Sequence, residues 1–436
     1  MLKKNKEKRI WDNAIKIIPG GNGLISKRPE RFLPGFWPTY YKSSKGIKIK
    51  AINGKTYLDF AQMGFGTSTL GYANSSIDRD VKKAINTGIT TTLNCPEEYL
   101  FAKELLKIDK FADQVRFAKG GGEAMSIAIR LARASTGKDE IAFSGYHGWH
   151  DWYLATNLKN KKNLNKHLLQ GLEPKGVPKK LKGTIHPFEY GNIKQINDII
   201  KNKNIGTIVL EGARYMQPQK NFVKEINKIC KRNKIILIVD EITSGWRQTV
   251  GGSYKITGFK PDIAVYGKGI ANGYPISVII GKKKIMNEAT NTFISSSAWT
   301  EKIGFVAGLS SIKFFKKKKV HRHIIKIGKK VQKGWLDLAN KNNLKIRTND
   351  FISLCSFFFD YGELNEKLYT VFTQEMLKYK YIANNSVYVS YAHKAKDVSR
   401  YLYFCNKVFQ KINLAIKNNK IPLTGKTRTM AFKRLN

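Results

Sequence analysis

Apolar positions along the chain follow two rhythms that take turns. Short unbroken runs at Glu140–Phe143, Thr207–Leu210, Ile235–Val239, Ile263–Tyr266 and Ser277–Gly281 predict strands buried on both faces, as parallel strands are. Between them lie stretches of helical period. These are Ile193–Lys201, Val223–Arg232, and a helix that follows Gly120–Gly122 with Ile127, Leu131 and Ala134 on one face. Strand, helix and strand joined by short links predict βαβ units, hence an α/β fold with a mainly parallel, doubly wound sheet. Ser76–Asn86 and Pro96–Ile108 also read as helices. A long helix begins near Glu301, and the serines Ser295–Ser297 ahead of it read as its caps. Residues 159–182, rich in Lys, Asn and Gly, show no period and read as a solvated excursion.

The two ends of the chain have a different texture. A helix at Ile10–Ile18 leads into a Gly- and Pro-rich arm, and GIKIKAINGKTYLDF alternates around Asn53-Gly54, a hairpin signal. From about Leu344, short strands (LKIRT, SLCSFFFD, VYVSY) alternate with helices at Glu363–Tyr379 and Asp397–Lys417, which predicts a smaller α+β unit. A length of 436 residues suits one large and one smaller domain.

Composition changes this picture in one respect. The formal charge of +46 raises the possibility of a nucleic-acid or anionic membrane partner. The cations are mostly lysines spread through every segment, so a solvated lysine surface accounts for the charge without such a partner. Cys95, Cys230, Cys355 and Cys405 lie far apart with no metal-ligand spacing, as expected of reduced thiols. No apolar run approaches the ~20 residues of a membrane helix, and MLKKNKEKRIW has no apolar stretch behind its charges. A soluble, cytoplasmic protein is the expectation.

Candidate chemistry gathers where strands end. Ile235–Val239 runs into Asp240-Glu241, Ile263–Tyr266 into Gly267-Lys268, and Thr207–Leu210 into Glu211. Ligands of open α/β sheets collect at the carboxyl ends of strands, so these charges are expected to face one crevice. VRFAKGGGEA supplies a strand, a glycine loop and a helix start, which is an anion site suited to one phosphate monoester. Tyr146, His147, Trp149, His150 and Trp152 crowd the loop after Phe143. An aromatic ring there can stack on a flat cofactor, and no carboxylate cluster completes a metal site with the two histidines. An amine, a carboxylate, a phosphate turn and an aromatic ring together suit pyridoxal phosphate (PLP), whose aldehyde condenses with a lysine and whose ring nitrogen wants an acid.

These motifs resemble those of the class III aminotransferases, enzymes of PLP fold type I, and within them the branch containing glutamate-1-semialdehyde 2,1-aminomutase. The resemblance is carried by IPGG, VRF…GGGEA…AIRLARA, Tyr146–Gly148, Glu211, VDEITSGWR, GKGIANGYP, SSSAWTEKIG, SYAHKAKDV and FKRLN. It implies that Lys268 carries the Schiff base and acts as the proton-transferring base, and that Asp240 pairs with the pyridine nitrogen. It further implies Tyr146 stacked on the ring, Ile242 on the opposite face, Glu211 near the ring hydroxyl, and Gly121 and Gly122 on the phosphate. Ser297 would reach that phosphate from the neighbouring subunit of a homodimer. The large domain would span 61–312, and 1–60 with 313–436 would form the small one. The substrates would be a small-molecule amino donor and a carbonyl acceptor, or one molecule rearranged by a mutase.

Two stretches depart from the family pattern. SGTEA, with its hydroxyls, is GGGEA here, and a GTYSGNP-type segment is replaced by SSAWTEK. The second departure favours an aminotransferase over the aminomutase. A basic nucleic-acid-binding protein and a catalytically silent member of the fold are the competing readings; the first is supported by the charge alone, and the retained Lys268, Asp240 and Tyr146 argue against the second.

Overall fold

The computed structural model describes residues 2–167, 170–213 and 216–429. The closing FKRLN lies outside them. The chain divides into two compact units, Ser75–His321 and a second made of Met1–Asn74 with Arg322–Asn436. The divisions thus fall some way beyond residues 60 and 312.

The unit Ser75–His321 is built on a seven-stranded sheet. In spatial order its strands are Gln114–Ala118, Ser277–Gly281, Ile263–Tyr266, Ile236–Asp240, Ile205–Glu211, Glu140–Ser144 and Ile185–Pro187. From Ile263–Tyr266 to Ile185–Pro187 all neighbours pair in parallel. Ser277–Gly281 runs antiparallel to both of its neighbours, and Gln114–Ala118 at the sheet edge pairs with that strand. All residues of Ile205–Glu211 and Ile236–Asp240 are buried. That is why these strands read as unbroken apolar runs rather than alternating ones. SVIIG has the same composition, so its reversed direction left no mark in the sequence.

Helices form where the period places them, at Ser75–Asn86, Pro96–Ile108, Ile193–Asn202 and Lys220–Arg232. Lys220–Arg232 turns Phe222, Val223, Ile226, Ile229 and Cys230 inward on one stripe. Gly121–Thr136 lies across five strands of the sheet. Its buried stretch includes Ile127 and Leu131 but stops at Ala132, so Ala134, on the same face in the last turn, is exposed.

Two expectations for this unit are corrected. Helix Lys302–Lys317 is capped by Glu301, whose carboxylate accepts from the Ile303 amide, and not by a serine hydroxyl. A carboxylate there also meets the positive end of the helix dipole. Residues 159–182 are not simply solvated: Leu164, His167, Leu172 and Val177 are buried. Asn157 pins the segment, its side chain donating to the Leu172 carbonyl (2.9 Å) and accepting from the Leu164 amide (2.9 Å). Isolated anchors of this kind have no period to detect.

The second unit holds two small sheets. One orders Tyr41–Lys45, Lys48–Ala51, Thr56–Phe60 and Tyr381–Ala383. The Asn53-Gly54 hairpin forms as expected, with Gly54 at φ +84° and the Asn53 side chain accepting from Lys55 N–H. Thr56–Phe60 then pairs in parallel with Tyr381–Ala383, which joins the two ends of the chain into one body. The other sheet is Ile346–Thr348, Leu354–Phe359 and Ser386–Tyr388. Among the described residues no helix is long and apolar enough to cross a membrane.

SYAHKAKDV serves this unit's framework. His393 is fully buried; its Nε2 donates to the Asp59 carbonyl (2.8 Å) and its Nδ1 accepts from the Ser390 amide (3.1 Å). Those two bonds require the neutral ring, and burial pushes its pKa from 6.5 down to about 4. The unfolded chain therefore binds the extra proton between those values. This contribution to stability is complete above pH 6.5 and lost as pH falls toward 4. Urea unfolding should show the wild type less stable at about pH 5 than at about pH 7.5. His393→Phe should lower stability at the higher pH by about 1–3 kcal/mol for each backbone group left unpaired, and should show a smaller loss on acidification.

Candidate active site

The register of the sheet brings the strand ends into line. Ser144 lies opposite Leu210, Glu211 opposite Asp240, and Asp240 opposite Val265. Ser277 opens the antiparallel strand at this same edge, opposite Ala118. Asp240 is buried, and its Oδ1 accepts from the Ile242 amide (3.0 Å). Its Oδ2 lies 2.8 Å from Nδ1 of His147, and Nε2 of that histidine lies 3.1 Å from the Ser144 carbonyl. A carbonyl only accepts, so Nε2 carries a hydrogen. Nδ1 then faces the carboxylate, and the two side chains form a buried pair. In the sequence His147 stands only as one of the loop aromatics and as part of Tyr146–Gly148, with no role assigned; its position three residues past the end of strand Glu140–Ser144 is what sets it beside Asp240.

Lys268 follows strand Ile263–Tyr266 with φ +45°, a left-handed conformation that a side-chain-bearing residue keeps only under constraint from its surroundings. Its Nζ donates to the Thr243 hydroxyl (2.7 Å). Thr243 is three residues beyond Asp240, so one loop positions both the carboxylate and the rest point of the amine. Ile242 lies between two glycines. A Cβ on Gly121 would stand 2.9 Å from its Cδ1, and one on Gly267 would stand 3.3 Å from its Cγ2. Gly121 opens helix Gly121–Thr136 after Gly120. The carboxylate of Glu123 takes the amides of Lys119 (2.9 Å) and Gly120 (3.1 Å), leaving those of Gly121 and Gly122 at the helix start. Lys119 itself is held by Glu301 (Nζ to Oε2 2.7 Å).

Glu211 is buried, and its Oε2 accepts from the Tyr146 amide (3.2 Å). Gly145 reaches this carboxylate closely: its φ is +116°, and a Cβ there would stand 2.8 Å from Oε2. Glu241 is the exception to the expectation of one shared crevice. Neighbouring residues of an extended chain point to opposite sides, and Glu241 turns away to accept from the Ser244 and Ser253 hydroxyls and the Tyr254 amide. Burial pushes its carboxyl up to about 7 despite those donors.

Seven of the eight residues singled out in the sequence are thus linked along one sheet edge: Gly121, Gly122, Tyr146, Glu211, Asp240, Ile242 and Lys268. Ser297 stands apart, exposed in the turn Ser297–Thr300, its carbonyl accepting from Thr300 Oγ1. The linked set fits a pyridine aldehyde phosphate. Gly121 and Gly122 offer amides at a helix start and have no room for a side chain. An amine and a braced carboxylate stand beyond them.

This sheet, read with its strand-end lysine and carboxylate, defines a PLP-dependent transferase of fold type I. Residues 35–385 match the family model "Aminotransferase class-III". The chain belongs to that family, and its cofactor is PLP. It is 27% identical over 412 residues to a 3-aminobutyryl-CoA aminotransferase of Cloacimonas acidaminovorans, covering 91% of this chain and 95% of that one. It is 30% identical over 441 residues to a glutamate-1-semialdehyde 2,1-aminomutase of Campylobacter hominis, covering 95% and 96%. Among solved structures it resembles the FumI protein of Sphingopyxis sp. MTA144 in its PLP internal aldimine form (TM-score 0.86, 21% identity, 99% of this chain and 100% of that one).

The pairing of His147 with Asp240 has a measurable consequence. Removing one partner of a buried pair costs about 3–5 kcal/mol, so His147→Ala should show a loss of that order in denaturant unfolding. In a double-mutant cycle with Asp240→Asn most of the loss should vanish, because the second variant leaves no buried carboxylate to strand.

Proposed function

We propose that this enzyme transfers an amino group between a small-molecule donor and a carbonyl acceptor, with Lys268 as covalent anchor and proton carrier and Asp240 as partner of the ring nitrogen. The observation that carries the reading is the loop Asp240–Thr243, which braces the carboxylate, rests the amine on Thr243 and places Ile242 between Gly121 and Gly267. Bound PLP supplies an electron-withdrawing ring that stabilises negative charge on the substrate carbon. Asp240, backed by His147, keeps a proton on the ring nitrogen. Gly121 and Gly122 hold the phosphate through their amides, and Tyr146 and Ile242 hold the ring between them. Lys268 would hold the cofactor's aldehyde and, as a free amine, would take the proton from the substrate α-carbon and return one, a role worth about 10²–10⁴-fold in rate. Its strained backbone and the Thr243 hydroxyl fix the starting point of that movement. Glu211 orients the Tyr146 segment.

The expected result with purified protein is a yellow chromophore, fixed by borohydride, absent in Lys268→Ala and bleached by an amino donor. Cofactor that stays attached to Lys268→Ala through borohydride reduction and dialysis under denaturing conditions would remove the lysine from its role. A mutase would convert an amino-aldehyde with no second substrate. A transaminase needs a carbonyl acceptor to turn over more than once, and a two-substrate assay separates the two.

The working form we infer is a cytoplasmic homodimer. Free Cys95, Cys230, Cys355 and Cys405 support a reducing compartment. Leu93 and Phe293, 81% and 85% exposed, lie on the surface of Ser75–His321 with Ile85, Ile89 and Tyr99, an apolar set suited to a second copy. Ser297, close in sequence to Phe293, would then serve the partner's phosphate. Subunit mixing tests this. Lys268→Ala and Ser297→Asp subunits, each with little activity alone, should regain activity together, because each mixed dimer rebuilds one complete site. No recovery in a mixture shown to exchange subunits would place Ser297 outside the shared site.

A further inference from the structure

The phosphate turn of this chain lacks the hydroxyls that its family pattern carries, and the packing around Gly122 shows what has taken their place. A Cβ on Gly122 would stand 2.8 Å from Nδ1 and 2.9 Å from Cε1 of His150. The loop carrying His150 is pressed onto the helix start. Gly148 has φ +104°, and a Cβ on it would stand 2.9 Å from the Cα of Gly122. The imidazole therefore fills the volume that a side chain at 122 would enter, and Trp149 stacks on it at 4.3 Å. Its Nδ1 is buried and has no hydrogen-bond partner among the described residues. A buried polar atom without a partner is costly, and such an atom beside the amides of a helix start is placed for an anion.

Lys119, the cation of the turn itself, is engaged by Glu301. Glu123 spends its carboxylate on the Lys119 and Gly120 amides. Neither supplies a donor in place of the missing hydroxyls. We propose that His150 is a phosphate ligand of the cofactor site, donating from Nδ1 to a phosphate oxygen where the side chain at position 122 is absent. The inference rests on the PLP reading above and extends it to a residue outside the family's phosphate motif. It also accounts for the glycine at 122: a hydroxyl-bearing residue there would displace the imidazole, so the two solutions exclude each other.

The test compares two cofactors that differ only in the phosphate. Apoenzyme is titrated with PLP and with pyridoxal, following absorbance of the bound aldehyde, for the wild type, His150→Ala and His150→Asn. Circular dichroism and thermal unfolding of each variant confirm that it is folded. The expected result is a PLP affinity about tenfold to a hundredfold weaker in His150→Ala, the range for a hydrogen bond to a charged group. Pyridoxal affinity should be unchanged, and His150→Asn, whose amide can still donate, should recover part of the loss. Equal weakening for both cofactors, or no weakening for either, would show the ring to be packing only and overturn the proposal. A wild-type protein that binds neither cofactor would overturn the PLP reading itself, an outcome distinct from the other two.

Discussion

The site depends on one buried carboxylate that is kept from being alone. An ionised group taken out of water costs far more than it returns unless a partner and hydrogen bonds accompany it. Asp240 has both: His147 on one oxygen and the Ile242 amide on the other. Each partner is fixed in turn, His147 by the Ser144 carbonyl and Ile242 by its fit between Gly121 and Gly267. The carboxylate thereby ties four neighbouring segments together: the end of Glu140–Ser144, the loop after Asp240, the start of helix Gly121–Thr136 and the turn before Lys268. The residue proposed to hold charge for chemistry is here also the point through which the strand ends are held in order.

Much of this was legible from the chain alone, for a stated physical reason. Strands buried on both faces must be apolar throughout, so Ile205–Glu211 and Ile236–Asp240 announce themselves, and a charge at the end of such a run is conspicuous. Lys268 and Asp240 were visible in that way, and Gly121 was visible because three consecutive glycines before a helical stripe have few other uses. What stayed hidden involves pairs distant in sequence. Nothing in SGYHGWHDW says which of His147 and His150 turns toward a carboxylate 93 positions later and which toward a glycine of the turn before it. Asp240 and Glu241 are adjacent and look equivalent, yet one faces the site and the other a buried set of hydroxyls. Direction is equally silent in SVIIG, where a reversed strand buries the same atoms as a parallel one.

The surplus of positive charge has little part in these arrangements. Exposed ion pairs such as Lys8–Asp12 and Lys333–Asp337 contribute about 0–1 kcal/mol each, and the run Lys316–Lys319 is exposed, with Lys316 paired to Glu104. The pairs set more deeply join parts that must stay in register: Lys119 with Glu301 at the phosphate turn, and Lys255 with Asp109, which also accepts from the Tyr254 and Tyr266 hydroxyls. Those two acids fix positions within the unit, whereas the many exposed lysines serve mainly to keep molecules apart.

The reversed strand Ser277–Gly281 has a consequence for how the chain is made. Gln114–Ala118, which leads into the phosphate turn, finds its place at the sheet edge against that strand, across the 158 positions that separate Lys119 from Ser277. During synthesis the parallel core from Glu140 to Tyr266 can assemble as it leaves the ribosome, whereas the turn's own strand must wait for residues that emerge later. The glycine turn Gly120–Gly122 is then among the last features of its unit to be fixed in place. A chain interrupted before Ser277 would hold Lys268 and Asp240 in sequence while strand Gln114–Ala118 lacked its neighbour in the sheet.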